Sequence, residues 1–342
     1  MSNRWPAGII RKTPVTPTGP FQNGAASGVW SLADAAYWTK QGLWPIAGNV
    51  LDGTLGIFAL GCTASGAVVT RDKYTYSGCV VSAGGAATVA SRYGAATGNS
   101  TVGIFALGAA PSSSSTTRNK YTYSGCVVSA GGASTATSSC GSAAGNSTRG
   151  IFALSYDTCT FTALSTRNKY TYSGCVVASA TAASTASYAG SATGNSTVGI
   201  FALGLAPAAR STTRNKYTYS SDVVTSGTAS SCAAQRGSAA GNSTVGIFAI
   251  GNTAAGRVTT REKYTYVGDV VSAGGAATVS SQSGTAAGNS TRGIFALGLT
   301  PCNSTTRNRY TYSGCVVAAG GAATTASSRG SAASNGIAGI TL

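Results

Sequence analysis

Short apolar runs, each broken by one glycine and bounded by Asn, Ser and Thr, return along the chain at a nearly fixed interval. The clearest is Val102-Gly-Ile-Phe-Ala-Leu107, apolar throughout apart from its glycine, which predicts a strand buried on both faces. The phrase Gly-Ile-Phe-Ala begins at Gly56, Gly103, Gly150, Gly199, Gly246 and Gly293, with successive starts 47, 47, 49, 47 and 47 residues apart. A worn copy begins at Gly339, 46 residues further on. Between copies lies a second phrase, Tyr-Thr-Tyr, starting at Tyr74, Tyr121, Tyr170, Tyr217, Tyr264 and Tyr310. Two phrases recurring in phase mark one supersecondary unit, repeated so that each copy buries its faces against its neighbours.

Within the second unit the pattern predicts four strands. The first is the Gly-Ile-Phe-Ala run. After a variable loop at 108–116, Arg118-Asn-Lys-Tyr-Thr-Tyr123 alternates, which puts Arg118, Lys120 and Thr122 on one face and Asn119, Tyr121 and Tyr123 on the other. Ser124-Gly125 turns the chain into a third strand, Cys126-Val-Val-Ser129. A fourth, Gly141-Ser-Ala-Ala144, leads through a tight turn at Gly145-Asn146 into the next Gly-Ile-Phe-Ala. Four short antiparallel strands per ~47 residues, six times over, predict an all-β fold: a propeller with one blade per unit. Helical repeats would need 3.6-residue apolar spacing, which is absent. Ring closure requires strands from both chain ends in one blade, with 330–342 and 46–60 both offering two. Six blades are expected; seven, with one mixed blade, is the alternative.

Residues 1–45 differ. Pro6, Pro14, Pro17 and Pro20 predict an extended arm over 1–30. Ser31 and Asp34 begin a helix over about 32–41, and Gly42 and Pro45 end it. Trp30, Tyr37, Trp38 and Trp44 concentrate aromatics there, while the repeats contain no Trp, so this segment reads as an anchoring module on which the 46–342 propeller stands, a helix that caps an open end of the array being the other reading. Residues 1–10 have no apolar core of a secretory signal, and no run approaches the ~18 apolar residues of a spanning helix.

Composition then narrows the chemistry. Gly supplies 47 of the 342 residues, and only 9% are charged, yet 23 basic residues face seven acidic ones for a net charge of +16. Twelve of the basic residues occupy one repeat slot: Arg71/Lys73, Arg118/Lys120, Arg167/Lys169, Arg214/Lys216, Arg261/Lys263 and Arg307/Arg309. Ring closure would order them as a positive belt, readable either as a polyanion contact or as solvated strand ends that block edge pairing. Nucleic acid is not favoured as the anion, because no base-stacking aromatics accompany the belt. The chain has no histidine, which removes Ser/His/Asp and Cys/His catalysis and the commonest metal ligand. Of the acids, Asp72 and Glu262 share the slot that is Asn119, Asn168, Asn215 and Asn308 elsewhere, and Asp222 and Asp269 stand where other units have Cys. Carboxylates in structural slots argue against a glycosidase pair, and no enzyme activity, cofactor or metal is expected.

Nine cysteines show no Cys-x-x-Cys. Cys79, Cys126, Cys175 and Cys315 lie five residues after the first Tyr of Tyr-Thr-Tyr, and Cys62, Cys159 and Cys302 precede three of them in the loop before. That co-occurrence predicts disulfides Cys62–Cys79, Cys159–Cys175 and Cys302–Cys315, with Cys126–Cys140 as a further pair; small buried thiols are the other reading. The Asn-Ser-Thr triplets read as hairpin turns.

The order Arg-Asn-Lys-Tyr-Thr-Tyr, turn, Arg-Tyr-Gly-Ala-Ala, Ile-Phe-Ala-Leu-Gly, best seen at Arg92-Tyr93-Gly94, resembles a divergent kelch repeat over roughly 290 residues. The inner strand ends Ala-Leu-Gly rather than Gly-Gly, and the kelch Trp positions are empty. The repeats, with Gly28-Val-Trp-Ser-Leu32 and Leu43-Trp-Pro45, are also similar to structural and tail proteins of tailed bacteriophages. The second resemblance implies a virion structural protein on the tail or capsid exterior, made in the host cytoplasm. Its arm would join other virion proteins, several copies would assemble in the particle, and its propeller loops would meet a host glycan or lipopolysaccharide. Capsid decoration and a glycan-degrading tail enzyme are the alternatives.

Overall fold

In the computed structural model, the described residues are 4–5, 8–9, 33, and 53–336 apart from 111–112, 158–159, 161 and 208. The chain divides into two compact units, Met1–Leu51 with Ile340–Leu342, and Asp52–Gly339. In the first, Arg4–Trp5 pairs antiparallel with Gly8–Ile9, a hairpin where an extended arm was expected. Ala33 is helical; the rest of the helix over about 32–41, with Trp30, Tyr37, Trp38 and Trp44, lies outside the described residues.

The second unit is a six-bladed β-propeller. Blade 3 shows the plan: Ser142–Gly145 innermost, then Arg149–Ala153, Arg167–Thr171 and outermost Val176–Ala180, each antiparallel to the next. The sequence unit is therefore out of phase with the blade. Its fourth strand, Ser142–Gly145, is the first strand of the following sheet, because the two-residue turn at Asn146 pairs it with the strand it precedes rather than those behind it. Blade 1 is completed by a single strand, Ser331–Ser334, laid against Leu55–Ala59, so the ring closes at six. Residues 337–342 and 46–52, which were expected to compete for that place, lie outside the described residues.

The turn at this junction is built from both sides. In blade 3, Asn146 accepts from the amides of Thr148 and Arg149 through Oδ1. In blade 1, Asn335 Oδ1 accepts from Leu55 N at 2.8 Å, and Asn289 Nδ2 donates to Gly53 O as Asn242 Nδ2 donates to Ser290 O. Gly53 thus stands where the other blades have the Ser of Asn-Ser-Thr. The triplets are turn residues, as read from sequence.

The alternating pattern packs blade on blade. Ile104 and Ala95 of blade 2 pack with Phe152, Tyr170 and Tyr172 of blade 3, and the other interfaces repeat the set. Ile faces the following blade and Phe the preceding one, so both faces of the strand are dry. The glycine that interrupts each apolar run is explained here. A Cβ on Gly150 would lie 2.5 Å from Thr97 Cγ2 of the neighbouring blade and 3.0 Å from the Tyr172 hydroxyl.

Burial raises the hydroxyl pKa of ten of the twelve repeat tyrosines, among them Tyr123, Tyr219 and Tyr312. A raised folded value means the stabilisation is full below the unfolded pKa near 10 and is lost as pH rises above it. Five buried arginines act oppositely: burial lowers Arg71, Arg118, Arg167 and Arg261 to about 10 and lowers Arg307, a penalty relieved as pH climbs. These ten of the sixteen tyrosines should therefore stay un-ionised at pH 11, so that most of the phenolate absorbance at 295 nm appears in one step coincident with loss of β-structure by circular dichroism. Gradual ionisation of most tyrosines around pH 10 in the folded chain would refute this.

Candidate functional site

The Arg-x-Lys slot does not form a surface belt. It lies on the third strand of each sheet, covered by the outer strand, and all six arginines are buried, 0–1% exposed. Each guanidinium reaches the next blade. Arg71 donates to Asn119 Oδ1 at 3.1 Å, Arg118 to Asn168, Arg167 to Asn215, Arg261 to Asn308, Arg214 to Glu262, and Arg307 to Asp72 at 2.7 Å, which closes the circle. Each also stacks on the next blade's Phe, 4.5 Å from Phe105 for Arg71 and 4.7 Å from Phe58 for Arg307. A desolvated cation over an aromatic face contributes on the order of 2 kcal/mol. All six arginines find an acceptor in the following blade, so the circle is a structural staple.

The lysine position does the same work nearer solvent. Lys169 pairs with Asp222 and Lys216 with Asp269, each in the following blade, and Arg309 donates to Cys79 Sγ at 3.7 Å. Lys73, Lys120 and Lys263 are half-buried. This explains the exchange of Cys for Asp in units four and five: the slot receives a cation from the blade before, and a carboxylate turns that contact into an ion pair. All six slot residues adopt positive φ, 53° at Asp269 to 59° at Asp222. Tyr264 donates to Asp269 Oδ1 at 2.8 Å within the same blade.

Cys62–Cys79, Cys302–Cys315 and the further pair Cys126–Cys140 do not form disulfides. Cys62, Cys79, Cys302 and Cys315 are free thiols, as are Cys126 and Cys140. Cys62 follows the Ala59 end of its strand, and Cys79 follows Thr75 of the next, which pairs with Leu55 at the opposite end. The two thiols thus sit beyond opposite ends of a five-residue ladder, ~13 Å long, far outside disulfide reach. Cys302 and Cys315 are separated in the same way by Arg307–Thr311. Cys159 lies outside the described residues, so the Cys159–Cys175 pair does too.

What remains distinctive is one face of the ring. Just before each inner strand, one residue faces the channel mouth: Arg329, Tyr93, Cys140, Ala189, Arg236 and Ser283 in blades 1 to 6. Their backbones form a closed circle, each N–H donating to the carbonyl of the residue one blade back: Cys140 N to Tyr93 O at 2.9 Å, round to Tyr93 N to Arg329 O at 2.7 Å. Every member has positive φ, 54–60°, although none is Gly or Asn. A cavity of about 120 Å3 opens there, lined also by Tyr188. Arg329 lies 5.1 Å from the Tyr93 ring, and Arg92 5.9 Å from it. Burial raises the Cys140 thiol pKa, against the pull of Ser139 and of Arg236, Arg329 and Arg92. At the other end the channel is lined by Ala, Thr and Gly of the inner strands, about 110 Å3 of space without charge.

The mouth carries variable loops beside it. The residue before each mouth position bridges to the loop after Gly-Ile-Phe-Ala: Arg92 to Ala109, Ser139 to Tyr156, Tyr188 to Leu205, Gln235 to Asn252. The mouth was missed in the sequence because Arg92-Tyr93-Gly94, where it first shows, reads as part of a kelch-like repeat motif. The signal was present: one column of the repeat reads Arg, Tyr, Cys, Ala, Arg, Ser while its neighbour is always Gly.

The described carboxylates are all engaged: Asp72, Glu262, Asp222 and Asp269 with cations, and Asp157 with Thr137 and Thr160. Among the described residues no cluster of His, Cys, Asp and Glu could hold a metal, and no helix is long and apolar enough to cross a membrane. Neither a protein-family model nor a curated protein matches the chain.

Proposed function

We propose that this propeller is a non-enzymatic recognition scaffold of a tailed-bacteriophage particle that attaches to a host-surface glycan through one face of its ring. The observation that carries the reading is the asymmetry between the two faces. One face repeats: Asn-Ser-Thr turns recur there, each Asn amide donating to the Ser carbonyl of the next blade's turn. On the other, the mouth residues and the adjoining loops 61–68, 108–116, 155–165, 204–211, 251–258 and 298–304 differ from blade to blade. Rigid scaffolds place recognition where variation is tolerated. The engaged carboxylates favour binding over hydrolysis. The kelch-like wording of the repeats and the phage-like lead-in at 28–45 support the particle setting.

The test exchanges loops 155–165 and 204–211 for the blade 5 loop 251–258 and measures binding of the purified chain to host cells. Binding should fall by about tenfold or more, as for loss of interface hot spots, with the melting temperature unchanged. Unchanged binding would overturn the reading. Loss of particle stability on removing the whole protein, with cell binding intact, would make it a decoration protein instead.

A further inference from the structure

The channel mouth is charged in a way the rest of the ring is not. Repeat arginines are buried against an acceptor in the next blade, but Arg236 is exposed and Arg329 half-exposed, and neither meets a carboxylate among the described residues. They stand in blades 5 and 1 with only Ser283 of blade 6 between them, so both flank one arc of the same cavity. Their charges, with that of Arg92, all act on the Cys140 thiol at the cavity wall. Like charges gathered without counter-charge cost free energy unless an anion joins them. The closed circle of backbone hydrogen bonds holds the six mouth residues at the wall of that cavity.

We propose that Arg236, Ser283 and Arg329 form a binding site for the oxyanion of an acidic sugar, a carboxylate or phosphate, with Tyr93 and Tyr188 as aromatic walls for the ring that carries it. Guanidinium forks match the two-oxygen edge of carboxylate and phosphate, and a tyrosine face suits the apolar side of a sugar ring. About 120 Å3 is room for several water molecules, hence for an oxyanion and part of its carrier. The inference names the ligand chemistry of the face proposed above for attachment and rests on that reading for its biological setting, though the site is testable alone.

The experiment is calorimetric titration of the full chain with glucuronate, glucose 1-phosphate and neutral glucose, repeated on Arg236→Gln, Arg329→Gln, the double variant and Lys263→Gln. Lys263 is half-buried on the third strand of blade 5, away from the mouth and its loops, and serves as a charge-matched control. At least one acidic sugar should bind and glucose should not; whichever binds identifies the oxyanion's source. Each mouth variant should weaken binding about tenfold and the double variant about a hundredfold, from loss of charge-assisted bonds, with Lys263→Gln unchanged. Equal loss in Lys263→Gln, or undiminished binding in the double variant, would show nonspecific charge attraction and overturn the site. No acidic sugar binding at all, in a chain that still binds host cells loop-dependently, would overturn the site and leave the attachment reading standing. The mouth side chains are outside the blade cores, and matched melting curves establish that the variants are folded.

Discussion

A chain ending at residue 330 should lose its cooperative melting transition, whereas a permuted chain in which residues 331–335 run directly into Gly53 should keep it. Ser331–Ser334 pairs along its whole length with Leu55–Ala59, and Asn335 adds two bonds to Leu55. At ~1 kcal/mol per hydrogen bond the strand and turn contribute on the order of 5 kcal/mol, comparable with the entire stability of many domains. The loss does not stay local. Ala333 packs with Phe105, Tyr121 and Tyr123, so removing the strand uncovers the next interface, and the ring becomes an open stack with an exposed edge. The permutant should restore it because Asn335, Gly53 and Thr54 then form a continuous copy of the Asn-Ser-Thr turn. Differential scanning calorimetry decides between them. A truncated chain melting as cooperatively as the parent would show that closure is not what holds the ring.

Asp72→Ala should destabilise by about 3–5 kcal/mol, because it leaves the Arg307 cation buried without its partner. Both side chains are fully buried, at 0% exposure, and the Asp72 carboxylate also accepts from the amide and hydroxyl of Thr324, at 3.0 and 2.6 Å. Asp72→Asn should cost no more than about 1 kcal/mol, a neutral hydrogen bond in place of a charged one. Four blades already use Asn in this slot. Asn119 accepts from Arg71 and from Thr88 N, and its amide donates to Thr88 Oγ1 at 2.8 Å. Rotation of the threonine hydroxyl from donor to acceptor accommodates the change. Urea unfolding of the two variants gives the comparison. Equal destabilisation by Ala and Asn would mean that the negative charge itself, and not an acceptor for the arginine, is what the slot requires.

The repeat phrases made the propeller legible because each is a packing instruction with a period of two. Ile and Phe alternate in one strand and Arg and Tyr in the next, and the sheet faces follow directly. The same regularity hid the chemistry. Arg118 and its equivalents looked like solvated cations, since charge in a sequence carries no sign of which face will be covered. Cys62 and Cys79 looked paired because they are close in sequence, yet the intervening strands carry them to opposite ends of a blade.

The residues alone determined the four strands of the repeat and the tight Asn turns, because these depend on local alternation and turn conformations; the pairing of Ser331–Ser334 with Leu55–Ala59 decided that the ring closes at six blades rather than seven. Tertiary structure decided where each repeated side chain was spent. Whether an arginine is a staple or a ligand contact depends on its acceptor in another blade, about 48 residues away for Arg71 and Asn119. Whether six unlike residues make a site depends on ring closure, which brings Arg329 beside Tyr93 across most of the chain's length. Contacts of that range are set by the summed packing of all the blades, and no window of sequence contains them.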